Sequence, residues 1–265
     1  MKKFITQIVL CFLLLSATVS YGAEPKAIGI IGALDEEVAA ITELMEQPQK
    51  QVVDYKIFWT GTIHHHPVVL VQSGVGKVNA AATTQLLIHQ FGVHEIIFTG
   101  VAGGINPKNR IGDVVIATQL LQHDYGIVSP DGKKLWQPGT IFNEKDLWFQ
   151  LDQSAFYKKL ASSVNHVKLE PGHRPTVKPG VIVSGDEFIA SEDKRAMLER
   201  TFKADAVEME GGAFAQVCKN NQVDCVVIRT ISDLANENSK IDFPKFAAYA
   251  ARNSARLVNA LLKNL

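Results

Sequence analysis

The chain has no excess of charge of either sign. Lysine and arginine together number 27, as do aspartate and glutamate, and no basic block appears anywhere along the 265 residues. Because proteins that bind nucleic acid carry clustered positive charge, nucleic acid is not an expected partner. The chain also lacks internal repeats and low-complexity tracts, so its length fits one large domain.

Long apolar runs are missing as well, apart from Phe4–Leu15 near the N-terminus. Lys2 and Lys3 precede this run and several small residues follow it, which is the layout of a secretory signal peptide. The run is too short to span a membrane. We predict that residues 1–23 are a signal peptide. Residues 24–265 would then be an exported protein, periplasmic or secreted, without stable membrane association.

Cysteine is scarce, and only Cys218 and Cys225 remain in the predicted mature chain. Cys218 lies late in a predicted helix, whereas Cys225 opens a predicted strand. A disulfide needs the two Cα atoms within about 7 Å of each other. We therefore expect two buried free thiols rather than a disulfide.

Nucleotide-binding loops are also absent. Two glycine-rich turns follow predicted strands, at Ser73–Lys77 and Thr99–Gly104. The Walker pattern needs glycine and then serine or threonine at positions where this chain has Val71 and Val78. No G-x-G-x-x-G follows the first strand, so we expect no cofactor. The turns either bring backbone amides close to a ligand or are simple strand–helix connections.

The histidine cluster His64–His66 has no cysteine or carboxylate nearby at ligand spacing. We predict a surface hairpin at this position and no metal site.

What the chain does contain is an alternation of short β-branched runs and helical segments. The predicted strands are Ala27–Ala33, Lys56–Thr60, Val68–Gln72, Glu95–Gly100, Asp113–Ala117, Gly180–Ser184, Ala204–Met209 and Val226–Ile231. The predicted helices are Asp35–Met45, Lys77–Gln90, Ser191–Phe202, Glu210–Asn220 and Phe243–Asn264. This pattern predicts an α/β fold of one domain, with a central twisted mixed sheet and helices on both faces. We interpret Tyr125–Pro179 as a long excursion over the sheet, with a weak helix around Asp152–His166.

Carboxylates follow three of the predicted strands. They are Asp35, Glu36 and Glu37 after the first strand, Glu208 and Glu210 around the end of the seventh, and Asp233 after the eighth. Ligands of parallel sheets bind beyond the carboxyl ends of the strands. The three groups therefore predict one pocket suited to acid–base chemistry on a neutral substrate. Each acid taken alone is more typical of the first turn of a helix, and only the three groups together favour the pocket.

Six segments carry a family resemblance. In chain order they are Ile28–Val38, Ser73–Lys77, Thr99–Gly104, Ser184–Ile189, Val207–Gly211 and Arg229–Asp233. Together they resemble the nucleoside phosphorylase/nucleosidase superfamily, and within it the 5′-methylthioadenosine/S-adenosylhomocysteine nucleosidases. The resemblance implies the superfamily's fold, a homodimer, and hydrolysis of the N-glycosidic bond of a purine nucleoside. The implied substrates are 5′-methylthioadenosine and/or S-adenosylhomocysteine, with release of adenine.

The resemblance also implies the catalytic residues. Glu37 would act as the general base on the attacking water, and Asp233 as the general acid that protonates N7 of the purine. Arg229 and Ser232 would orient the acid end of the site. Such a bond breaks through an oxocarbenium-like state, so a protonated leaving group and a positioned water are the two means of acceleration.

The implied substrate-binding residues surround this pair. Glu210 would accept hydrogen bonds from the ribose hydroxyls, and Met209 would lie against the sugar. Phe188 would stack on adenine, backbone groups near Ile189 would read the edge of the base, and Phe243 would wall the pocket.

The second glycine turn supplies the remaining predicted binding residues, Val101, Ala102 and Gly103. The closest family pattern has serine where Val101 stands, and that hydroxyl helps to hold the catalytic aspartate. The long Tyr125–Pro179 segment also departs from the compact family version, in a region that forms part of the pocket for the 5′ substituent.

Two alternatives remain at this stage. A phosphorylase needs arginine near the glycine turns to hold phosphate, whereas Asp35–Glu37 would repel it and Arg110 lies beyond Gly104. An exported nucleoside-binding protein without useful catalysis is the second alternative. It is disfavoured because several buried carboxylates without a task would cost stability.

Overall fold

The computed structural model describes residues 26–128, 130, 134–135, 148–163, 167, 169 and 175–265. The predicted signal peptide at residues 1–23 lies outside the described residues. So do parts of the Tyr125–Pro179 segment, although the helix predicted within it is present, as Ala155–Ser163.

Strands and helices alternate along much of the described chain. The strands are β1 (Ile28–Gly32), β2 (Glu46–Val53), β3 (Lys56–Ile63), β4 (His66–Gln72), β5 (Glu95–Gly104), β6 (Val114–Gln122), β7 (Ile127–Val128), β8 (Lys134–Leu135), β9 (Trp148–Gln150), β10 (Val177–Ser184), β11 (Ala206–Glu208) and β12 (Asp224–Asp233). The helices are α1 (Asp35–Thr42), α2 (Lys77–Phe91), α3 (Ala155–Ser163), α4 (Glu192–Phe202), α5 (Gly211–Asn221) and α6 (Ser239–Lys263).

Ten of the described strands form one mixed sheet. Its order is β11-β10-β6-β12-β5-β1-β4-β3-β2, with β9 paired to β6. β1 runs parallel to β4 and β5, and β12 runs parallel to β5. The carboxyl ends of β1, β5 and β12 therefore lie at one edge, as the positions of the strand-end acids predicted.

Strand β11 also lies at this edge, but it does not run parallel to β5 as the strand-end argument assumed. It runs antiparallel to β5, pairing Ala206 with Gly104 and Val207 with Gly103. It also runs parallel to β10. The strands β11, β10, β6, β12 and β5 therefore close into a ring, and this closure brings Glu208 to the end of β5.

Helices pack against the sheet in two pairs. α1 packs on α6, which covers β5 and β12, and α2 packs on α5, which covers β6 and β10. The core between the layers is apolar, and Phe98 of β5 meets Phe214 of α5 edge to face at 5.1 Å between ring centroids. The predicted α/β class, with a mixed sheet and helices on both faces, is confirmed.

Several strand predictions were wrong. No strand was predicted at β2, whose residues are mostly exposed and include Pro48, because an edge strand carries little apolar signal. None was predicted at β7, β8 or β9 within Tyr125–Pro179, and β6 extends to Gln122, beyond the predicted Asp113–Ala117. The strand predicted at Glu95–Gly100 was also too short, because Thr99–Gly104 was interpreted as a turn. In the structure β5 continues through Gly104, because side chains from other elements fill the space beside its glycines.

Other local predictions are confirmed. The histidine cluster forms the β3–β4 hairpin, with positive φ at His64 and His65. Cys218 and Cys225 are both buried and free. None of the helices in the described residues combines the length and the apolar composition that crossing a membrane requires.

Candidate active site

A cleft of about 380 Å³ opens at the carboxyl ends of β1, β5 and β12. The structure brings all of the predicted site residues to its wall: Glu37, Val101, Ala102, Gly103, Phe188, Ile189, Met209, Glu210, Arg229, Ser232, Asp233 and Phe243. Seven further residues line it to which the family resemblance gave no role: Ala33, Leu34, Val75, Gly100, Glu187, Val207 and Glu208. The volume falls in the range typical of small-molecule sites.

Glu37 lies in the first turn of α1 and is only 1% exposed. Its Oε2 accepts hydrogen bonds from the amides of Ala33 at 2.6 Å and Leu34 at 3.0 Å, and its Oε1 accepts one from Val101 at 3.1 Å. Burial raises the pKa of Glu37, although the Arg229 charge and the three amides act against it. A fixed carboxylate with increased proton affinity is suited to general-base catalysis.

The surroundings of Gly100 explain why β5 has glycine at this position. A Cβ at this position would lie 2.9 Å from Glu37 Oε1 and 3.1 Å from Arg229 Nη1. Any other residue would therefore displace one of these two charged groups. Gly103 has a similar position, because its Cβ would lie 3.1 Å from Asp233 Oδ1.

Arg229 occupies the centre of the site and is 1% exposed. Its Nη2 donates to Glu208 Oε2 at 2.7 Å and its Nε to the same oxygen at 3.2 Å. The guanidinium group also lies over the Phe98 ring, 4.5 Å from the centroid. The surrounding carboxylates Glu208, Glu210 and Glu37 raise the pKa of Arg229 although burial acts in the opposite direction.

Glu208 makes more contacts than an acid that only caps the start of a helix. It does accept the amides of Glu210 at 3.0 Å and Gly211 at 2.7 Å, as the helix-start interpretation expected. It also accepts the Ser184 hydroxyl and pairs with Arg229. Asp35 and Glu36, in contrast, are exposed first-turn acids of α1. Sequence spacing offered no signal for the Arg229–Glu208 pair, which joins residues on different strands.

Glu210 is the N-cap residue of α5 and is 5% exposed. Its Oε1 accepts the Gly76 amide at 2.8 Å, and its Oε2 lies 3.8 Å from Arg229 Nη2. Burial, together with the neighbouring Glu208 charge, raises the pKa of Glu210 to about 7, while Arg229 and the Gly76 amide act against the rise. The carboxylate is thus held in a fixed place beside the cleft.

Asp233 ends β12 and is 2% exposed. A β-bulge between Ile231 and Asp233 makes Ser232 the extra residue, and a bulge redirects the side chains around it. Asp233 Oδ1 accepts the Ala235 amide at 2.9 Å, and Ala235 itself has a positive φ of 52°. The aspartate is therefore held by the tight turn that follows its strand.

The Ser232 hydroxyl provides the donor that the valine at position 101 cannot. It lies 3.0 Å from Asp233 Oδ2 and 3.3 Å from the Ala102 carbonyl oxygen. A hydroxyl both donates and accepts. Ser232 can donate to an ionised Asp233, or accept from a protonated Asp233 while it donates to Ala102. The Ser232 hydroxyl can therefore stay hydrogen-bonded to Asp233 as donor or as acceptor.

An aromatic pair forms the mouth of the cleft. Phe188, on the loop after β10, is 46% exposed. Its ring meets that of Phe243, from the start of α6, at 5.6 Å and 75°. Ile189 beside it is buried. A planar ring entering the cleft would find Phe188 available for stacking.

The fold and this arrangement of carboxylates define the class of protein. The sequence profile of the phosphorylase superfamily matches residues 27–263, so the chain belongs to that superfamily.

Individual relatives narrow the comparison. The chain is 37% identical to a 5′-methylthioadenosine/S-adenosylhomocysteine nucleosidase of Mycobacterium bovis, over 89% of this chain and 96% of the relative. It is 35% identical to an aminodeoxyfutalosine nucleosidase of Helicobacter pylori, over 91% of this chain and 100% of that one. A solved structure of the Neisseria meningitidis 5′-methylthioadenosine/S-adenosylhomocysteine nucleosidase, in complex with methylthio-immucillin-A, is similar with a TM-score of 0.80 and 32% identity. It covers 91% of this chain and all of its own.

Proposed function

We propose that this chain is a nucleosidase that hydrolyses the N-glycosidic bond of purine nucleosides, with 5′-methylthioadenosine and/or S-adenosylhomocysteine as substrates and adenine as a product. The observation that carries the proposal is the set of three buried carboxylates, Glu37, Glu210 and Asp233, on the wall of one cleft. The relatives named above support the substrate class. Aminodeoxyfutalosine, which the Helicobacter pylori relative is named for, is a second candidate substrate for the same chemistry.

Glu37 and Asp233 divide the reaction between them. Asp233 donates a proton to N7 of the purine, so that the electrons of the breaking C1′–N9 bond pass to a neutral leaving base. Glu37 takes a proton from the water that attacks C1′. Each contribution is typically worth about 10²–10⁴-fold in rate. Glu210 accepts hydrogen bonds from the ribose hydroxyls, and Phe188 stacks on the base.

The charge of the cleft favours this pathway. Arg229 is the only lysine or arginine among the described residues that line it, whereas Glu37, Glu187, Glu208 and Glu210 are all acidic and Asp233 supplies the proton. Negative charge around C1′ stabilises the positive charge of an oxocarbenium-like transition state.

Phosphorolysis is disfavoured by the same charges. The Arg229 guanidinium is already engaged by Glu208, with two hydrogen bonds to one oxygen. Among the described residues that line the cleft, a phosphate dianion would therefore meet carboxylates and no free lysine or arginine. Water is the nucleophile that fits the site.

Release of adenine tests the proposal. The mature chain should release free adenine from 5′-methylthioadenosine, S-adenosylhomocysteine or aminodeoxyfutalosine at the same rate with and without added phosphate. Inosine is the control for base recognition. Dependence on phosphate with formation of a sugar 1-phosphate would favour a phosphorylase. Tight binding without release would favour the binding protein.

We further propose that the mature protein is exported and forms a homodimer. Export is supported by the basic and apolar layout of residues 1–23. Association is supported by two exposed apolar side chains at the start of α2: Val75, which lines the cleft, is 48% exposed, and Val78, in the first turn of the helix, is 80% exposed. Light scattering of the mature chain should give twice the monomer mass, and Val78→Asp should lower it. Fractionation of producing cells tests the export.

A further inference from the structure

Three residues outside the cleft are joined in a closed ring of hydrogen bonds. The Lys77 amide donates to Asp186 Oδ1 at 2.8 Å, and the Asp186 amide donates to Asp124 Oδ2 at 3.0 Å. The Lys77 ammonium group completes the ring by donating to Asp124 Oδ1 at 2.6 Å. The ring connects the start of α2 with the loops that follow β6 and β10. These segments are far apart in sequence, so the ring fixes their relative position.

The ring adjoins both halves of the proposed nucleoside site. Gly76, directly before Lys77, donates its amide to the ribose-binding carboxylate of Glu210 at 2.8 Å. Asp186 lies two residues before Phe188, the proposed stacking partner of the base. Consecutive amides at the start of α2 therefore hold the ribose carboxylate and the base-binding loop.

The electrostatics of the ring depend on one lysine. The Lys77 and Asp124 side chains are 18% and 15% exposed, and the Lys77 ammonium group also lies 3.9 Å from Asp186 Oδ2. Burial opposes ionisation of Asp124, but the hydrogen bonds from Lys77 and from the Asp186 amide outweigh it and lower the pKa of Asp124. Without the lysine, two carboxylates would face each other. Part-buried, charge-assisted hydrogen bonds of this kind are stronger than those of exposed pairs.

We propose that Lys77, Asp124 and Asp186 are positioning residues that fix the base-binding loop relative to the ribose-binding carboxylate, so that a nucleoside meets both halves of the site already in register. This inference rests on the proposed nucleosidase function. Preorganisation of two subsites increases affinity because less freedom is lost on binding. The ring does not touch the reacting atoms, so its loss affects capture of the substrate more than the chemical step.

Lys77→Met tests the ring, with Lys77→Arg as the conservative variant. Lys178→Met is the matched control, because Lys178 pairs with Asp205 at 2.9 Å at similar exposure but away from the cleft. For 5′-methylthioadenosine we expect KM to rise about tenfold in Lys77→Met, which corresponds to about 1.4 kcal/mol, with kcat within about threefold of wild type. Lys77→Arg should recover most of the loss, and Lys178→Met should leave both constants unchanged.

Equilibrium binding separates positioning from a general loss of structure. In an Asp233→Asn background, Lys77→Met should weaken the binding of 5′-methylthioadenosine much more than the binding of free adenine. Adenine alone does not span the ribose-binding and base-binding halves of the site. The double variant Lys77→Met/Asp124→Asn avoids two opposed carboxylates and is the substitute if Lys77→Met does not fold. It should show the same selective loss.

Several results would overturn the role of the ring. The first is an unchanged KM in Lys77→Met. The second is that Lys77→Met weakens the binding of adenine and of the nucleoside equally. The third is that Lys178→Met raises KM as much as Lys77→Met does, with a matching fall in the unfolding midpoint. Failure of the proposed function is recognised separately, because it is read from adenine release by the wild type. The binding arm still reports on the ring if the wild type binds nucleosides without cleaving them.

Discussion

Replacing Glu210 with glutamine should make the protein more stable at alkaline pH while it weakens substrate binding. Glu210 is 5% exposed, and burial beside the Glu208 charge raises its pKa from 4.5 to about 7. Between these two values the folded protein keeps a proton that the unfolded chain has lost. The stability linked to this group is therefore fully present below about pH 4.5 and is lost as the pH rises through about 7.

The size of the effect follows from the two pKa values. The difference between about 7 and 4.5, at about 1.4 kcal/mol for each pH unit, amounts to roughly 3 kcal/mol. Glutamine is neutral at every pH, so Glu210→Gln does not incur this loss. Its amide oxygen can still accept the Gly76 hydrogen bond. The free energy of unfolding of the variant, relative to wild type, should rise by roughly 3 kcal/mol between pH 4.5 and pH 8.

Urea unfolding of both proteins at these two pH values measures the difference, with Glu36→Gln as the control because Glu36 is an exposed acid of α1. Glu210→Gln should also raise KM for 5′-methylthioadenosine about tenfold or more, since hydrogen bonds to a charged group are worth about 1.5–3 kcal/mol. If the relative stability of Glu210→Gln does not change with pH, or if Glu36→Gln behaves alike, the described environment of Glu210 is wrong.

Two further substitutions probe the centre of the site. Gly100→Ala should lower kcat by about 10² with little loss of helical circular dichroism, because its Cβ would lie 2.9 Å from Glu37 Oε1 and displace the general base; a kcat near that of wild type would contradict this placement. Arg229→Met should lower the free energy of unfolding by about 3–5 kcal/mol in urea, because it leaves Glu208 buried without its partner. Adding Glu208→Gln should recover part of that loss, and no recovery would show that the pair is not the cause.

Much of the site could be predicted because its residues follow strand ends. Glu37 and Asp233 come within a few residues of the ends of buried apolar runs, and the parallel pairing of β1, β5 and β12 brings them to one edge. The sequence therefore indicated both carboxylates and their common pocket. Their chemical roles remain predictions that the kinetic experiments test.

The rest of the site depends on contacts that local patterns do not encode. Glu208 resembled a helix-start acid, and only the closed ring of strands brings it to Arg229. Gly100 and Gly103 resembled a turn because glycine usually interrupts strands. These positions are glycine because the side chains of Glu37, Arg229 and Asp233 occupy the space that a Cβ would take.

The division of labour between Asp233 and Glu37 is the central claim, and a change of leaving group tests it most directly. On 5′-methylthioadenosine, Asp233→Asn and Glu37→Gln should each lower kcat by about 10² or more. A 5-methylthioriboside of 4-nitrophenol needs no protonation to leave. On this compound the kcat of Asp233→Asn should lie within about tenfold of the wild-type value, whereas the kcat of Glu37→Gln should remain about 10²-fold lower than wild type. Equal losses for the two variants on both compounds would contradict the assignment of acid and base.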